Sequence, residues 1–327
     1  MNTFTAVVAD IGGTNTRVAL TQGTKIRHDT IRRFRNAENT GIEPILAQYL
    51  AEMNAQPDAV CIDMAGPVHE GVGELTNLDW RVESSALADT TKAGTVAVLN
   101  DLQAMGHALS HIGPESLQQV MPGQDATDSA LAVRLVVNIG TGLNIAPVYH
   151  SQGQTTVPPA EAGHISLSVQ TAQELRLRDW LAESHGTPGF EETLSGRGLE
   201  HIYAFHCRED GTGDPLTAAE IMAAFDEGQD RALRSLRMFT RFVGRYAGDT
   251  ALITLPFGGI FLVGGVMRHV GPHLLDLGFA EAFVDKGRFS DYMAQFPVHL
   301  MTDDYAPLAG CAGHLAEKMG LTISPSP

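Results

Sequence analysis

Asp10 closes an apolar run and is followed by Ile11-Gly12-Gly13-Thr14-Asn15. A carboxylate beside a turn of two glycines offers backbone N–H groups that can approach a phosphate closely. It also offers an oxygen ligand for Mg²⁺, directly or through water. A plain hairpin turn needs no more than the two glycines, so this motif alone leaves both readings open. A second turn, Gly140-Thr141-Gly142, follows the apolar run Leu135 to Ile139. Ile145 stands where a dinucleotide fingerprint needs its third glycine, and no G-x-x-x-x-G-K-[ST] loop occurs in the chain. What remains is a pair of related turns, DIGGTN at 10–15 and NIGTGLN at 138–144, able to grip one polyphosphate from opposite sides.

Asn100-Asp101 falls where an apolar strand ends and a helix begins. Helix capping by Asn or Asp explains the pair at least as well as function does. A kinase acting on an alcohol also needs a carboxylate within hydrogen-bond reach of the attacking hydroxyl, and Asp101 has the chemistry for it. Glu161, His164 and Glu191 lie near glycine and proline, on loops or element ends, where acceptors and donors for adjacent sugar hydroxyls would be expected. Zinc binding is the rival reading of that cluster, although its spacing matches no ligand signature, and a lone histidine is more often structural.

The elements that must position these residues follow from periodicity. Thr5 to Ala9 and Thr16 to Thr21 read as a hairpin about the glycine turn. Ile42, Ile45, Leu46, Tyr49, Leu50 and Met53 have helical spacing, and strands are expected at Ala59 to Met64, Thr95 to Leu99, Val133 to Ile139, Ile260 to Val263 and Val298 to Met301. Helices are expected at Ala172 to Glu183, Gly196 to His206, Thr217 to Asp226, Asp230 to about Leu255, and Pro307 to Met319. Strands alternating with helices argue for α/β architecture with largely parallel sheets. At 327 residues two domains sharing a cleft are expected, with the boundary near residue 112, before the polar stretch Gly123 to Ser129.

Composition narrows the partners. A formal net charge of −16 opposes binding to a phosphate backbone, and no apolar run approaches the roughly 18 residues of a membrane span. Neither nucleic acid nor membrane is therefore an expected partner. Cys61, Cys207 and Cys311 are too scattered for a disulfide framework or a paired zinc site, and MNTFTAVVADIGGTN lacks the pattern of a secretion signal. A reducing, cytoplasmic location is the expectation.

Taken together, the motifs resemble the bacterial glucokinase family in its form without a zinc-binding cysteine cluster. The resemblance spans nearly the whole chain in order: ADIGGTNTR at 9–17, AGPV at 65–68, LTNLDW at 75–80, LNDLQA at 99–104, IGTGL at 139–143, PAEAGH at 159–164, ETLSGRGL at 192–199, FGGIFLVGGV at 257–266 and DKGRF at 285–289. It implies the two-domain actin-like (ribonuclease H-like) α/β ATPase fold with a cleft between domains. The small domain would be 1–111, completed by the carboxyl-terminal helix 305–327, and the large domain 112–304, which often forms a homodimer. The implied reaction is transfer of the ATP γ-phosphoryl group to the 6-hydroxyl of glucose, with Mg²⁺.

On this sequence the resemblance assigns ATP phosphates to Ala9, Asp10, Ile11, Gly12, Gly13 and Thr14 and to Gly140, Thr141 and Gly142. Gly264 and Gly265 would form the adenosine-side turn, and Asp10 would hold the metal. Asp101 would be the catalytic base, with Asn100, Glu161, His164 and Glu191 as sugar ligands. Asn144 and Ala162 replace family glycines, and Ile165 to Ser168 depart from the usual stretch. These departures bear on sugar selectivity and efficiency more than on reaction type. The rival readings are a kinase for another hexose or amino sugar, and a non-catalytic sugar sensor, against which the intact Asp101 speaks.

Overall fold

In the computed structural model, which describes residues 4–75, 78–123 and 131–321, strand β1 (Thr5–Ile11) buries both of its faces. Val7, Ala9 and Ile11 point into one apolar cluster, Ala6 and Val8 into another, as the period-2 alternation of a central strand requires. The chain continues through β2 (Asn15–Gln22), β3 (Lys25–Ile26), β4 (Arg32–Arg35), α1 (Ile42–Met53) and β5 (Ala59–Met64). A small meander, β6 (Val68–His69), β7 (Val72–Glu74) and β8 (Arg81–Glu83), precedes α2 (Ser84–Thr91), β9 (Thr95–Asn100) and α3 (Asp101–Ala108). Then come β10 (Leu117–Met121), β11 (Arg134–Ile139), β12 (Leu143–Ser151) and β13 (Gln154–Thr156). Four helices follow, α4 (Ala172–His185), α5 (Gly196–Asp210), α6 (Ala218–Asp226) and α7 (Asp230–Thr254). The last stretch holds β14 (Ile260–Val263), α8 (Gly265–Val270), α9 (Phe279–Val284), α10 (Ser290–Met293), β15 (Val298–Met301) and α11 (Ala306–Lys318).

The chain divides into two compact units, 1–114 with 148–159 and 303–327, and 115–147 with 160–302. In the first, the sheet runs β3-β2-β1-β5-β9, with β4 also on β2. Its β1, β5 and β9 are parallel, and its β1–β2 pair is the antiparallel hairpin the sequence announces. The second sheet runs β10-β15-β14-β11-β12-β13, with β11, β14 and β15 parallel and antiparallel strands at its edges. The sheets are thus mixed, parallel at the centre only. Of the sequence features above, Thr76 and Asn77 of LTNLDW, residues 124–129 of the polar stretch and residues 322–327 of the last helix lie outside the described residues.

Local chemistry sets the helix starts. Thr171 with Glu174, and Thr217 with Glu220, close capping boxes at the heads of α4 and α6. Glu174 also forms a two-bond pair, 3.1 Å each, with Arg245 of α7, and both side chains are buried. Burial alone would raise the Glu174 pKa, but the bonds from Arg245 prevail and hold it below its ordinary value. Cys61, Cys207 and Cys311 are free and buried. Among the described residues no helix is long and apolar enough to cross a membrane.

In the first unit, α3 and α11 pack through glycines. Gly310 faces the backbone of Ala104 so closely that a Cβ there would overlap the Ala104 carbonyl, and it would stand 3.0 Å from the Ala108 nitrogen. Gly106 similarly accommodates the methyls of Val157 and Val148. Gly310→Ala ought to gain roughly 1 kcal/mol from helix propensity. At this position the clash should reverse the sign, giving a net loss of about 1–3 kcal/mol. Urea unfolding of the variant checks it, and a stabilised variant would mean the two helices separate freely.

Candidate active site

At the head of the first unit, Gly12 N–H closes the β1–β2 turn on Asn15 O at 3.0 Å, and Gly13 and Thr14 are exposed. Ala9 and Ile11 are fully buried, backbone included, so the surface the turn offers to a phosphate is that of Gly13 and Thr14. Asn36, which the sequence reading did not single out, braces the turn from below. Its Nδ2 donates to Gly12 O at 2.7 Å, its Oδ1 accepts from Thr16 Oγ1 at 2.8 Å, and its N–H donates to Thr14 O at 3.0 Å. Nothing local in the sequence around Asn36 signals this, because the partners are some twenty residues away.

Three carboxylates gather at the carboxyl-terminal ends of the parallel strands. Asp10 on β1 is in register with Asp63 on β5, and Asp63 with Leu99 on β9, two residues before Asp101. Asp63 is fully buried, also missed from sequence, and carries an unpartnered Oδ1; its Oδ2 accepts from the Cys311 thiol at 3.4 Å. Burial, then the charges of Asp10 and Asp101, push the Asp63 pKa well up. Burial also raises Asp10, against the opposing pull of Arg17, whose Nη1 lies 3.5 Å from its Oδ2. Arg17 is opposite Asp10 in the hairpin register, a signal that the turn position alone supplied. An acidic, oxygen-only donor set with an orphaned buried oxygen and a single guanidinium beside it fits a hard divalent cation such as Mg²⁺.

Asp101 is the first residue of α3 and half-buried. Burial raises its pKa to about 6 and the nearby Asp10 adds to the rise, while its bond from Leu102 N–H at 2.9 Å works the other way. Asn100 is a helix cap: its Oδ1 accepts from Leu102 N–H at 3.0 Å, its Nδ2 donates to Gly66 O at 3.0 Å, and Gln103 Oε1 accepts from its N–H at 3.1 Å. The capping role expected as the plainer alternative is realised, and one N–H and one lone pair of the side-chain amide remain for another partner.

In the second unit, Gly140 N–H closes the β11–β12 turn on Gly142 O at 2.9 Å, and Thr141 is exposed. Gly264, at φ 104°, packs against this turn so tightly that any side chain would strike the Ile139 carbonyl. The Gly265 nitrogen lies 3.6 Å from where a Cβ on Gly140 would sit, so the two glycine turns are neighbours. Glu191 Oε2 accepts from Leu143 N–H at 2.9 Å, and Arg197 Nη2 stands 3.7 Å from its Oε1.

Glu161 and His164 are exposed, Glu161 just before the short turn Ala162–His164 and His164 at its end, which is not the setting of a core histidine. Phe190 N–H donates to Ile165 O at 3.0 Å, tying that turn to Phe190–Glu192 and so to Glu191. Asn144, one of the departures from the family pattern, is a second tie: its Nδ2 donates to Ala160 O, its Oδ1 accepts from Ala162 N–H at 3.0 Å, and Nδ2 reaches Glu161 Oε2 at 3.4 Å. The structure therefore groups Asp10, Asn100 and Asp101 in the first unit. It groups Gly140–Gly142, Gly264, Gly265, Glu161, His164 and Glu191 in the second.

Residues 7–318 match the family model described as Glucokinase. A glucokinase of Erwinia tasmaniensis is 31% identical over 320 residues, covering 97% of this chain and 99% of its own. One of Pseudomonas paraeruginosa is 33% identical over 320 residues, covering 96% and 93%. The solved glucokinase of an Antarctic psychrotroph superposes with a TM-score of 0.86 at 30% identity, covering 96% of this chain and 99% of that one.

The raised pKa of Asp101 is also a stability statement. Below about 3.8, the value for an unfolded carboxyl, both states hold the proton and the group costs nothing. As pH rises through about 6, the folded state must carry a charge that the unfolded chain carries more readily, and stability is lost. Asp101→Asn should therefore be more stable than wild type at neutral pH, on the order of 1–3 kcal/mol, with the difference closing in acid. Melting curves at the two pH values test this; equal stability throughout would show that burial does not strain the carboxylate.

Proposed function

The chain belongs to the glucokinase family, and we propose that its Asp101 is the base for transfer of the γ-phosphoryl group of ATP to the 6-hydroxyl of glucose. The protein is an ATP-dependent glucose kinase with the two-domain actin-like α/β fold. The observation that carries the assignment of the base is the carboxylate at the head of α3 with its pKa raised to about 6. Such a group is ionised at neutral pH yet basic enough to accept the hydroxyl proton as the new O–P bond forms. The phosphoryl group moves from the ADP leaving oxygen to the sugar oxygen, and the proton ends on Asp101.

Phosphoryl transfer asks little covalent help of the protein, so positioning and charge neutralisation do most of the work. The turns at 12–14 and 140–142 are assigned to the phosphates through their backbone N–H groups, and Gly264 and Gly265 to the adenosine side. Asp10 is assigned to Mg²⁺, which when bound neutralises phosphate charge. Asn100, Glu161, His164 and Glu191 are assigned to the sugar hydroxyls, each with a polar atom still open. A homodimer in the cytoplasm is proposed from the family pattern, and light scattering of the purified protein checks the assembly.

Coupled ADP-release assays with Mg-ATP across glucose, mannose, fructose and amino sugars test the reaction and its acceptor together. Glucose must stand out; a better acceptor elsewhere in the panel would reassign the sugar. Asp101→Asn should lower kcat by about 10² or more while leaving glucose binding nearly unchanged. In wild type kcat/KM should rise with pH through about 6 as Asp101 loses its proton.

Charge-assisted bonds from Glu161 and Glu191 are each worth roughly 1.5–3 kcal/mol. An analogue lacking the contacted hydroxyl leaves a carboxylate unpaired and should lose about tenfold or more in kcat/KM. Glu161→Gln should shrink that penalty for the deoxy sugar it contacts, because a neutral amide is less costly to leave alone. Deoxyglucoses reacting as well as glucose in wild type would remove both residues from the site.

A further inference from the structure

Glu192, next in the chain to the sugar-assigned Glu191, takes no part in that site. It ends the turn Phe190–Glu192, and its carboxylate meets two histidines from other elements: His185, the last residue of α4, and His201, in α5. His185 Nδ1 stands 3.5 Å and His201 Nδ1 3.8 Å from Glu192 Oε2, both longer than a hydrogen bond. The two rings lie 5.4 Å apart, and one ligand-capable atom from each of the three residues falls within 4.8 Å of the others. His201 Nδ1 is also 2.9 Å from Glu192 O. A carbonyl only accepts, so this bond puts the ring proton on Nδ1, leaves Nε2 its lone pair and pins the imidazole against residue 192. Metal-ligating histidines are commonly held in this way.

We propose that His185, Glu192 and His201 form a binding site for a divalent transition-metal ion of the zinc class, with the remaining position open to water. Two imidazoles and one carboxylate are the borderline donor set that suits zinc and disfavours magnesium or calcium. Ligands about 2.0–2.1 Å from a tetrahedral ion lie about 3.4 Å from one another. The His185–Glu192 separation already has that length, and rotation of the exposed His185 ring and of the Glu192 carboxylate toward Nε2 of the pinned His201 ring completes the set. The site is separate from Glu161, His164 and Glu191, the cluster whose spacing raised the question of zinc. Because Glu191 and Glu192 share one turn, an ion on Glu192 restrains the residue that the glucokinase reading assigns to the sugar. That coupling rests on the reading; the ion site does not.

Equilibrium dialysis of the full chain against zinc chloride, without magnesium, sugar or ATP, reads the site directly. The expected result is one zinc per chain in wild type, weakened about tenfold or more in His185→Ala and in His201→Ala, each checked for native circular dichroism. Cobalt(II) should give a low-coordinate visible band with wild type and lose it with either variant, and Glu192→Gln should weaken both ions. No zinc bound by wild type, or zinc bound equally by all three proteins, overturns the proposal.

Glucose affinity measured calorimetrically without ATP should shift with saturating zinc in wild type and stay put in His185→Ala. An identical response in both proteins would overturn the coupling. Failure of glucose to bind at all would count against the sugar assignments and leave the dialysis result standing.

Discussion

Burying carboxylates side by side is the constraint around which the first unit is arranged. Asp10, Asp63 and Asp101 sit at the ends of adjacent parallel strands, and Arg17 supplies the cation beside Asp10. Desolvation raises all three pKa values, and repulsion from neighbouring carboxylates adds to the rise at Asp63 and Asp101, which makes the cluster expensive in the absence of a bound cation and receptive to one. Burial, with a smaller push from the charge of Asp10, gives Asp101 its raised pKa. A carboxyl at a helix N-terminus, accepting a backbone N–H, would otherwise titrate at or below the usual carboxylate range. With Asp101 as the proposed base, function and stability are opposed at one residue, and the opposition follows from where the strands end.

The two units repeat one plan. In each, a strand, a glycine turn and a returning strand lie beside two parallel strands, in the order β2-β1-β5-β9 and β12-β11-β14-β15. A helix follows the last parallel strand in both, α3 after β9 and α11 after β15. The helix that closes the second plan packs in the first unit, against α3, through contacts tight enough to require glycine at 310. The turns at 12–14 and 140–142 are therefore equivalent positions of one design rather than chance echoes. Their surroundings differ: Asn36 braces the first from within its unit, whereas Glu191 and Gly264 crowd the second.

What could be read from the chain was whatever is local. Periodicity placed the long helices and the central strands almost residue by residue, because amphipathic faces and strand alternation are properties of consecutive residues. The glycine turns, Asn100-Asp101 and the Glu161–His164 loop carried their chemistry in short motifs, and the family resemblance joined them into one reading. Residues that act across sequence were not visible. Asn36 lies twenty-four residues from Gly12, and Cys311 reaches Asp63 over 248. Asp63 sits in a run that reads simply as a buried strand, CIDM, and only the register with Asp10 reveals its partner. The segment 148–159 gives no compositional sign that it joins the first unit.

Asn144 shows how a departure from a family pattern can take on a structural role. With glycine at that position, the loop bearing Glu161 would be held by backbone bonds alone. Here one side-chain amide engages Ala160, Ala162 and Glu161 together. Gly163 must stay glycine, because any Cβ would strike the Leu143 carbonyl, so the loop is pressed against β12 as well as tied to it. The bond to Glu161 is long at 3.4 Å and weak, yet a neutral donor near that carboxylate supplies part of the partnership a sugar hydroxyl would otherwise give. A carboxylate partly satisfied by its own protein discriminates less sharply against a missing hydroxyl than one left bare. Under the assignment of Glu161 to a sugar hydroxyl, the amide that stiffens this loop also softens the specificity of that carboxylate.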